Sequence, residues 1–487
     1  MSQPLVEFTF YAYSTTTTGV HNPTILLRLR DPMSDEQNKQ PPRFTRRQIL
    51  TTGVGTLALL GVGVAGTLRA GGCETVSDSP QADSEQTDDA PHQAPQHEWQ
   101  SVRDQFDADD ELIHMAGMLL ATHPRPVREA IERHRQGLDD NPTEYLYDHW
   151  ARSEAQFDDD GEQWAKEAAG RYLDVTPANV AITDSTTEGL AVVYNGLDIG
   201  AEQHALTGHW NHWATEGSLQ HAAAKRGFSI NNASLYDDVT AADADEITDR
   251  LIDAITPETR VVAVTWVHST TGLKLPVAQI GERIDQINQD RSSANRILFC
   301  VDGVHGFGVE DIHFADLHCD FFIAGCHKWL FGPRGTGIVV GRPDAWNHAT
   351  PTVPTFSLGI TPGRRFTPGG FKPYEHIWAL HEAFDFHLDI GKDRIQQRIH
   401  NLTDHLIDDI ATMEHIQLRT PTDADLRSGI VSFRVDGYSA YDVVDALRGN
   451  NIIASVTPED SPAARLAPGL LNDHDEVEQT LEALQQL

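Results

Sequence analysis

Two stretches of this 487-residue chain bring together residue types that can do covalent chemistry. The first is Val301-Asp302-Gly303-Val304-His305-Gly306, and the second is Gly325-Cys326-His327-Lys328-Trp329-Leu330, which continues to Thr336-Gly337. Each follows an apolar run that reads as a buried strand, so each sets polar groups at a strand end. Burial disfavours the charged form of a lysine, and the neutral amine is the nucleophile that attacks a carbonyl. Lysine is scarce here, and Lys328 alone follows a buried-looking strand. Taken singly, an Asp-Gly pair is ordinarily a turn and a lysine ordinarily a solvated charge. Their ordered occurrence at strand ends points to a site that holds a reactive group.

Two more segments have chemical content. In Ile182-Thr183-Asp184-Ser185-Thr186-Thr187-Glu188-Gly189, small hydroxyl residues stand just ahead of a helix. Backbone N–H groups and the positive end of the helix dipole bind phosphate at such a place, and the ordinary alternative is a Ser/Thr helix cap. Thr207-Gly208-His209-Trp210-Asn211-His212-Trp213 is an aromatic segment that either faces a ligand or packs on its domain. The four cysteines, Cys73, Cys300, Cys319 and Cys326, lack metal-ligand spacing, so no metal is expected. Cys300 and Cys326 lie in apolar stretches and read as small buried hydrophobes.

The elements that must position these residues alternate in type. Short apolar strands are read at 180–183, 261–267, 297–301, 321–324 and 337–340, with amphipathic helices at 187–196, 214–225, 247–255 and 277–287. Such alternation predicts an α/β domain with a mostly parallel sheet covered by helices on both faces. Ligand sites of such sheets lie beyond the carboxyl ends of the strands. After Pro373 the pattern changes to long helices at 374–388 and 392–413, a strand at 430–435, a helix at 440–448 and a last helix from Asp475, which predicts a smaller α+β C-terminal domain.

With the strand-end aspartate and the later His-Lys pair in this order, the chain resembles the fold-type-I pyridoxal phosphate (PLP) enzymes of aminotransferase class V. The neighbouring residues look most like the isopenicillin N epimerase-like branch, related to the cysteine desulfurases. The resemblance extends from about Leu112 to the C-terminus. It implies the PLP-dependent transferase fold type I, with Lys328 as the catalytic lysine that bonds the cofactor and later shuttles the substrate α-proton. It places Asp302 against the pyridine nitrogen, His305 near the ring oxygen, and Cys326 and His327 near the phosphate with Thr186 and Thr187. Aligned without gaps, Trp210 takes the ring-stacking position; a one-residue shift gives it to His209, and both stay open. Thr367, in Phe366-Thr367-Pro368-Gly369-Gly370, corresponds to a loop that approaches the phosphate from a neighbouring subunit, which implies a homodimer; here the threonine precedes the glycines instead of following one. Arg465 corresponds to the arginine that holds the substrate carboxylate by a bidentate pair. The implied partner is a small-molecule amino acid or related amine, acted on through an external aldimine by transamination, epimerisation or elimination. Cysteine desulfurases need a mobile cysteine after the lysine, and none follows Cys326. A binding protein that keeps the fold without catalysis is the reading from another class.

Composition limits the partners. A net charge of −35 repels nucleic acid and anionic lipid and resembles the solvated acidic surface of proteins from salt-loving organisms. Arg46-Arg47, followed by the uncharged stretch 48–68, has the form of a twin-arginine export signal, and Cys73 after small residues looks like a lipobox cysteine. The expected organisation is an extension over 1–32 if translation starts at Met33 instead of Met1, a signal over 33–73, a disordered acidic tether over 74–100, an N-terminal segment of the small domain over 101–126, a large PLP-binding domain over 127–370 and a small domain over 371–487. The expected destination, through the twin-arginine export machinery, is the outer face of the cell membrane, held there by the signal or a lipid anchor.

Overall fold

The computed structural model describes residues 96–150, 160–355 and 361–487. The expected export signal, Cys73 and the expected tether up to residue 95 lie outside these residues. The last part of the expected tether is ordered: Gln96–Arg103 forms helix α1. Its one aromatic residue explains this, because Trp99 is buried and the guanidinium groups of Arg394 and Arg398 lie 5.7 and 5.3 Å from its ring centroid. Strand β1 (Ile113–His114) and helices α2 (Arg125–Asp140), α3 (Pro142–Trp150) and α4 (Asp160–Leu173) follow.

The central sheet is then laid down as β2 (Val180–Thr183), β3 (His204–Gly208), β4 (Ser229–Ala233), β5 (Thr259–Thr265), β6 (Leu298–Asp302), β7 (Phe321–Gly325) and β8 (Gly337–Gly341). Helices α5 (Thr186–Gly196), α6 (Trp213–Arg226), α7 (Ala244–Asp253) and α8 (Val277–Gln289) connect them. The strand order is β2-β8-β7-β6-β5-β3-β4. Strands β4, β3, β5, β6 and β7 run parallel, and β8 is antiparallel to both of its neighbours. Successive side chains of β5 serve opposite cores: Val262 and Val264 join one apolar cluster, and Val261 and Ala263 join the other. Both faces are therefore apolar, as a helix-covered parallel sheet requires. Strand β4 has no such signature in sequence, because Ser229, Asn231 and Asn232 are exposed at the sheet edge.

Beyond the sheet come α9 (Pro362–Phe366), α10 (Tyr374–Ile390) and α11 (Lys392–Ile410). The last two are separated by Gly391, whose φ of 100° breaks the helix. Strands β9 (Ile416–Leu418) and β10 (Val431–Val435), helix α12 (Ala440–Gly449), strands β11 (Ile452–Ile453), β12 (Ser455–Val456) and β13 (Ala464–Leu466), and helix α13 (His474–Gln485) complete the chain. An antiparallel sheet of order β12-β13-β10-β9 results, and β1 pairs with β11 in parallel. That pairing carries the N-terminal segment to the C-terminal part of the fold. Capping boxes start α12 at Ser439 and α13 at Asp473.

Candidate active site

Strand β6 ends on Asp302 and its parallel neighbour β7 on Gly325, so both open onto the same edge of the central sheet. The loop after β7 is closed on itself. The Cys326 N–H donates to the Thr336 carbonyl (2.9 Å), and the Cys326 carbonyl accepts from the Gly332 N–H (2.8 Å). This loop holds Lys328 with its Nζ 3.3 Å from His305 Nε2. Burial lowers the Lys328 pKa to about 8; the Asp302 carboxylate opposes the shift and the Arg465 charge adds to it.

The orientation of His305 follows from Trp329. The indole Nε1–H can only donate, and it donates to His305 Nδ1 at 3.4 Å. The neutral imidazole therefore carries its proton on Nε2 and offers it to Lys328 Nζ. Only a neutral amine has a lone pair to accept it. Burial foremost, with the cationic groups of Lys328 and Arg465 beside it, keeps His305 well below its usual pKa, hence neutral.

Asp302 is fully enclosed, and burial pushes its pKa up to about 6 against the opposing pull of the Val304 N–H, Lys328 and Thr215. Its Oδ1 accepts from the Val304 N–H and its Oδ2 from Thr215 Oγ1–H, each at 3.3 Å. Two long bonds leave a buried carboxylate with free lone pairs, an acceptor for a protonated ring nitrogen.

Thr186 opens α5, and its Oγ1 accepts from the Gly325 N–H at 2.8 Å. A Cβ at Gly325 would stand 3.0 Å from Thr186 Oγ1 and 3.1 Å from His327 Cε1, so the glycine allows these two side chains to converge. Ser185 caps the helix by accepting from the Glu188 N–H (3.2 Å), and Thr187 is exposed on the first turn. The His327 Nδ1–H donates to the Thr336 carbonyl at 3.3 Å. Together they form a polar cradle at a helix N-terminus, suited to a phosphate.

Arg465 is buried and oriented by the carbonyls of Ser269 (2.6 Å) and Val456 (2.9 Å) and by Ser455 Oγ (3.3 Å). Burial brings its pKa down to about 10, so it stays cationic at neutral pH. The charge of Glu459 acts on it, but Glu459 is ion-paired with Arg419. The guanidinium remains available to an anionic ligand.

His209 and Trp210 are exposed. His209 donates from Nδ1 to the Ala233 carbonyl at 2.9 Å, and Trp210 sits at φ 70°. The imidazole coupled to Lys328 and Arg465 is that of His212; burial foremost, and then these two charges, hold its pKa at about 4. Asn211 fixes the segment by donating to the Ala263 carbonyl (3.0 Å) and accepting from the Thr265 N–H (2.8 Å). Cys326 is wholly buried in the apolar core, where burial pushes its thiol pKa far up. Thr367 accepts from the Ile182 N–H (3.0 Å) and donates to the Gly363 carbonyl (3.2 Å) as the C-cap of α9. His212, Thr215 and Trp329 are the residues that sequence reasoning missed. His212 alone left a signal, as a cap residue directly before α6.

Comparison with known proteins gives the family. Residues 124–458 match the family described as Aminotransferase class-V. The isopenicillin N epimerase of Streptomyces clavuligerus is 26% identical over 344 residues, covering 66% of this chain and 83% of its own. The probable cysteine desulfurase of Halobacterium salinarum is 23% identical over 355 residues, with 69% and 80% covered. Among solved structures, a C-DES mutant with glycine covalently linked to the PLP cofactor aligns with a TM-score of 0.69 at 22% identity, covering 79% of this chain and 98% of that one.

Proposed function

The chain belongs to the aminotransferase class-V family of PLP enzymes, and we propose that it acts at the α-carbon of an amino acid or related amine as an aminotransferase, epimerase or lyase. The observation that carries the reading is a buried lysine, its pKa lowered by burial to about 8 and its Nζ 3.3 Å from the His305 imidazole, beside a buried carboxylate with free lone pairs. These residues fit the cofactor. Asp302 would hold the protonated ring nitrogen, Lys328 the aldehyde carbon, and Thr186, Thr187 and His327 the phosphate. When bound, PLP supplies an electron sink for charge left on the substrate carbon.

The chain's own residues do the rest. Arg465, buried and cationic, orients a substrate carboxylate through its outward N–H groups. Lys328, with a pKa of about 8, can accept the α-proton near neutral pH and give it back. His305 steers the lysine lone pair through its Nε2–H. His212 has its pKa held at about 4 and adds no positive charge that would oppose binding of the ring cation.

Sulfur transfer through a mobile thiol has less support. Cys300, Cys319 and Cys326 are all buried, and no cysteine follows Cys326.

Purification of the full chain with PLP tests the proposal. The expected protein carries a covalently held cofactor with a near-visible absorption band, which Lys328→Ala abolishes. A colourless protein that takes up no PLP would end the proposal. A screen of amino acids for keto acid, ammonia, sulfide or inverted product then chooses the reaction.

A further inference from the structure

A cavity of about 290 Å³ lies on the side of Lys328 that faces the N- and C-terminal segments. Segment 115–121 forms one wall and is tied at both ends. The Ala467 N–H donates to the Met115 carbonyl (2.7 Å), and the Ala121 N–H donates to the His327 carbonyl (3.1 Å), next to Lys328 itself. Leu112, Trp329, Phe331 and Leu470 supply apolar walls, and Asp109 and Arg334 line the cavity from exposed positions. Two lining residues are glycines with room for a side chain: a Cβ at Gly117 would meet nothing within 4 Å, and one at Gly469 only Trp329 at 3.8 Å. The absence of side chains at these two positions keeps the cavity open.

We propose that this cavity receives the side chain of the substrate, and that the substrate class is an amino acid or amine with a branched aliphatic or aromatic body. The inference rests on the functional reading above and adds the identity of the side chain. Size and lining support it. An apolar cavity of about 150 Å³ is enough to take benzene, so the larger space here holds a phenyl or isobutyl group. It lies at the lower end of ligand pockets, which run from about 300 Å³ upwards. A charged side chain would lose its hydration against the apolar walls, and the charged lining residues, Asp109 and Arg334, stand at exposed, solvent-screened positions. Every methylene moved from water into the cavity strengthens binding roughly fourfold.

Titration of the full-length holoenzyme with L-phenylalanine, L-leucine, L-alanine and L-aspartate, followed by the cofactor absorption, tests this. Phenylalanine and leucine are expected to half-saturate at concentrations roughly tenfold or more below that of alanine, with aspartate weakest. Gly117→Phe fills the cavity and is expected to weaken phenylalanine binding by at least about tenfold while alanine is unchanged. Gly469→Leu fills it from a second lining position and gives the same pattern if the first variant folds poorly. Alanine or aspartate binding as tightly as phenylalanine, or filled variants that still bind phenylalanine normally, would overturn the inference. Failure of the functional reading shows earlier and separately, as a protein without a cofactor band before any amine is added.

Discussion

The chemistry at Lys328 depends on one proton position on His305. Because Trp329 can only donate, His305 presents Nε2–H to the lysine and disfavours the ammonium form. Burial lowers the Lys328 pKa from 10.5 to about 8, so the reactive amine is present above that pH and is lost below it. Recapture of PLP by apoenzyme is expected to slow by about tenfold for each pH unit below the midpoint and to level off above it. Stopped-flow absorbance across pH 6–10 (roughly the range bracketing the two values) would show the curve. Trp329→Phe removes the indole donor, and His305 can then move its proton to Nδ1 and accept from the ammonium. The midpoint should rise by about half to one pH unit. A loss of packing alone would lower thermal stability and leave the midpoint in place. Sequence made Lys328, Asp302 and His305 legible because each follows a buried apolar strand, and the strand end fixes its location. Trp329 and Thr215 were not legible, since a hydrogen bond to a particular ring nitrogen depends on side-chain geometry that residue spacing does not encode. The segment 207–213 was legible as a loop after β3, but the coupling of His212 to Lys328 and Arg465 was not, because it depends on the positive φ of Trp210.

At the scale of elements, the turn after β5 links the central sheet to Arg465. Its Ser269 carbonyl accepts from Arg465 Nη1 at 2.6 Å, and the turn closes with the Gly272 N–H donating to the His268 carbonyl at 2.8 Å. Gly272 has φ 75°, and a Cβ there would drive into the backbone carbonyl of Ile430, just before β10. Backbone cannot swing aside as a side chain can. Gly272→Ala is therefore expected to cost about 1–3 kcal/mol, read as a lower urea midpoint, and to raise KM for carboxylate substrates as Ser269 moves from Arg465. Gly437, at φ 82° with nothing near its absent Cβ, is the control; Ala there should cost only about 1–2 kcal/mol and leave KM alone. The strands that run buried from end to end, such as β6 and β7, were readable from apolar runs. The edge strand β4 was not, because its polar residues face water and its place is set by pairing with β3. The start of α1 was hidden for the opposite reason. A long polar context surrounds Trp99, and only the tertiary contacts with Arg394 and Arg398 show that it is an anchor.

For the whole molecule, 72 acidic residues against 37 lysines and arginines leave a net charge of −35. Arginines are correspondingly shared: Arg250 pairs with Asp237 and Glu246, Arg135 with Glu132 and Asp139, and Arg296 with Asp320 and Asp344. Salt acts on this surface in two directions. It weakens exposed pairs, each worth about 0–1 kcal/mol, and it screens the repulsion among the excess carboxylates, which acts against the compact state. With nearly two acids for every base, repulsive pairs outnumber attractive ones, so the second effect wins. Raising KCl from about 0.1 M to about 1 M shortens the screening length from ~10 Å to ~3 Å. Each kcal/mol recovered lifts Tm by about 2–4 °C in a domain of a few hundred residues. Calorimetry should show Tm rising by several degrees over that range and then flattening, because little repulsion is left to screen. A continued linear rise would indicate general salting-out of apolar surface instead, and a flat or falling Tm would mean that the shared arginine pairs, not the acidic excess, dominate the electrostatics of the fold.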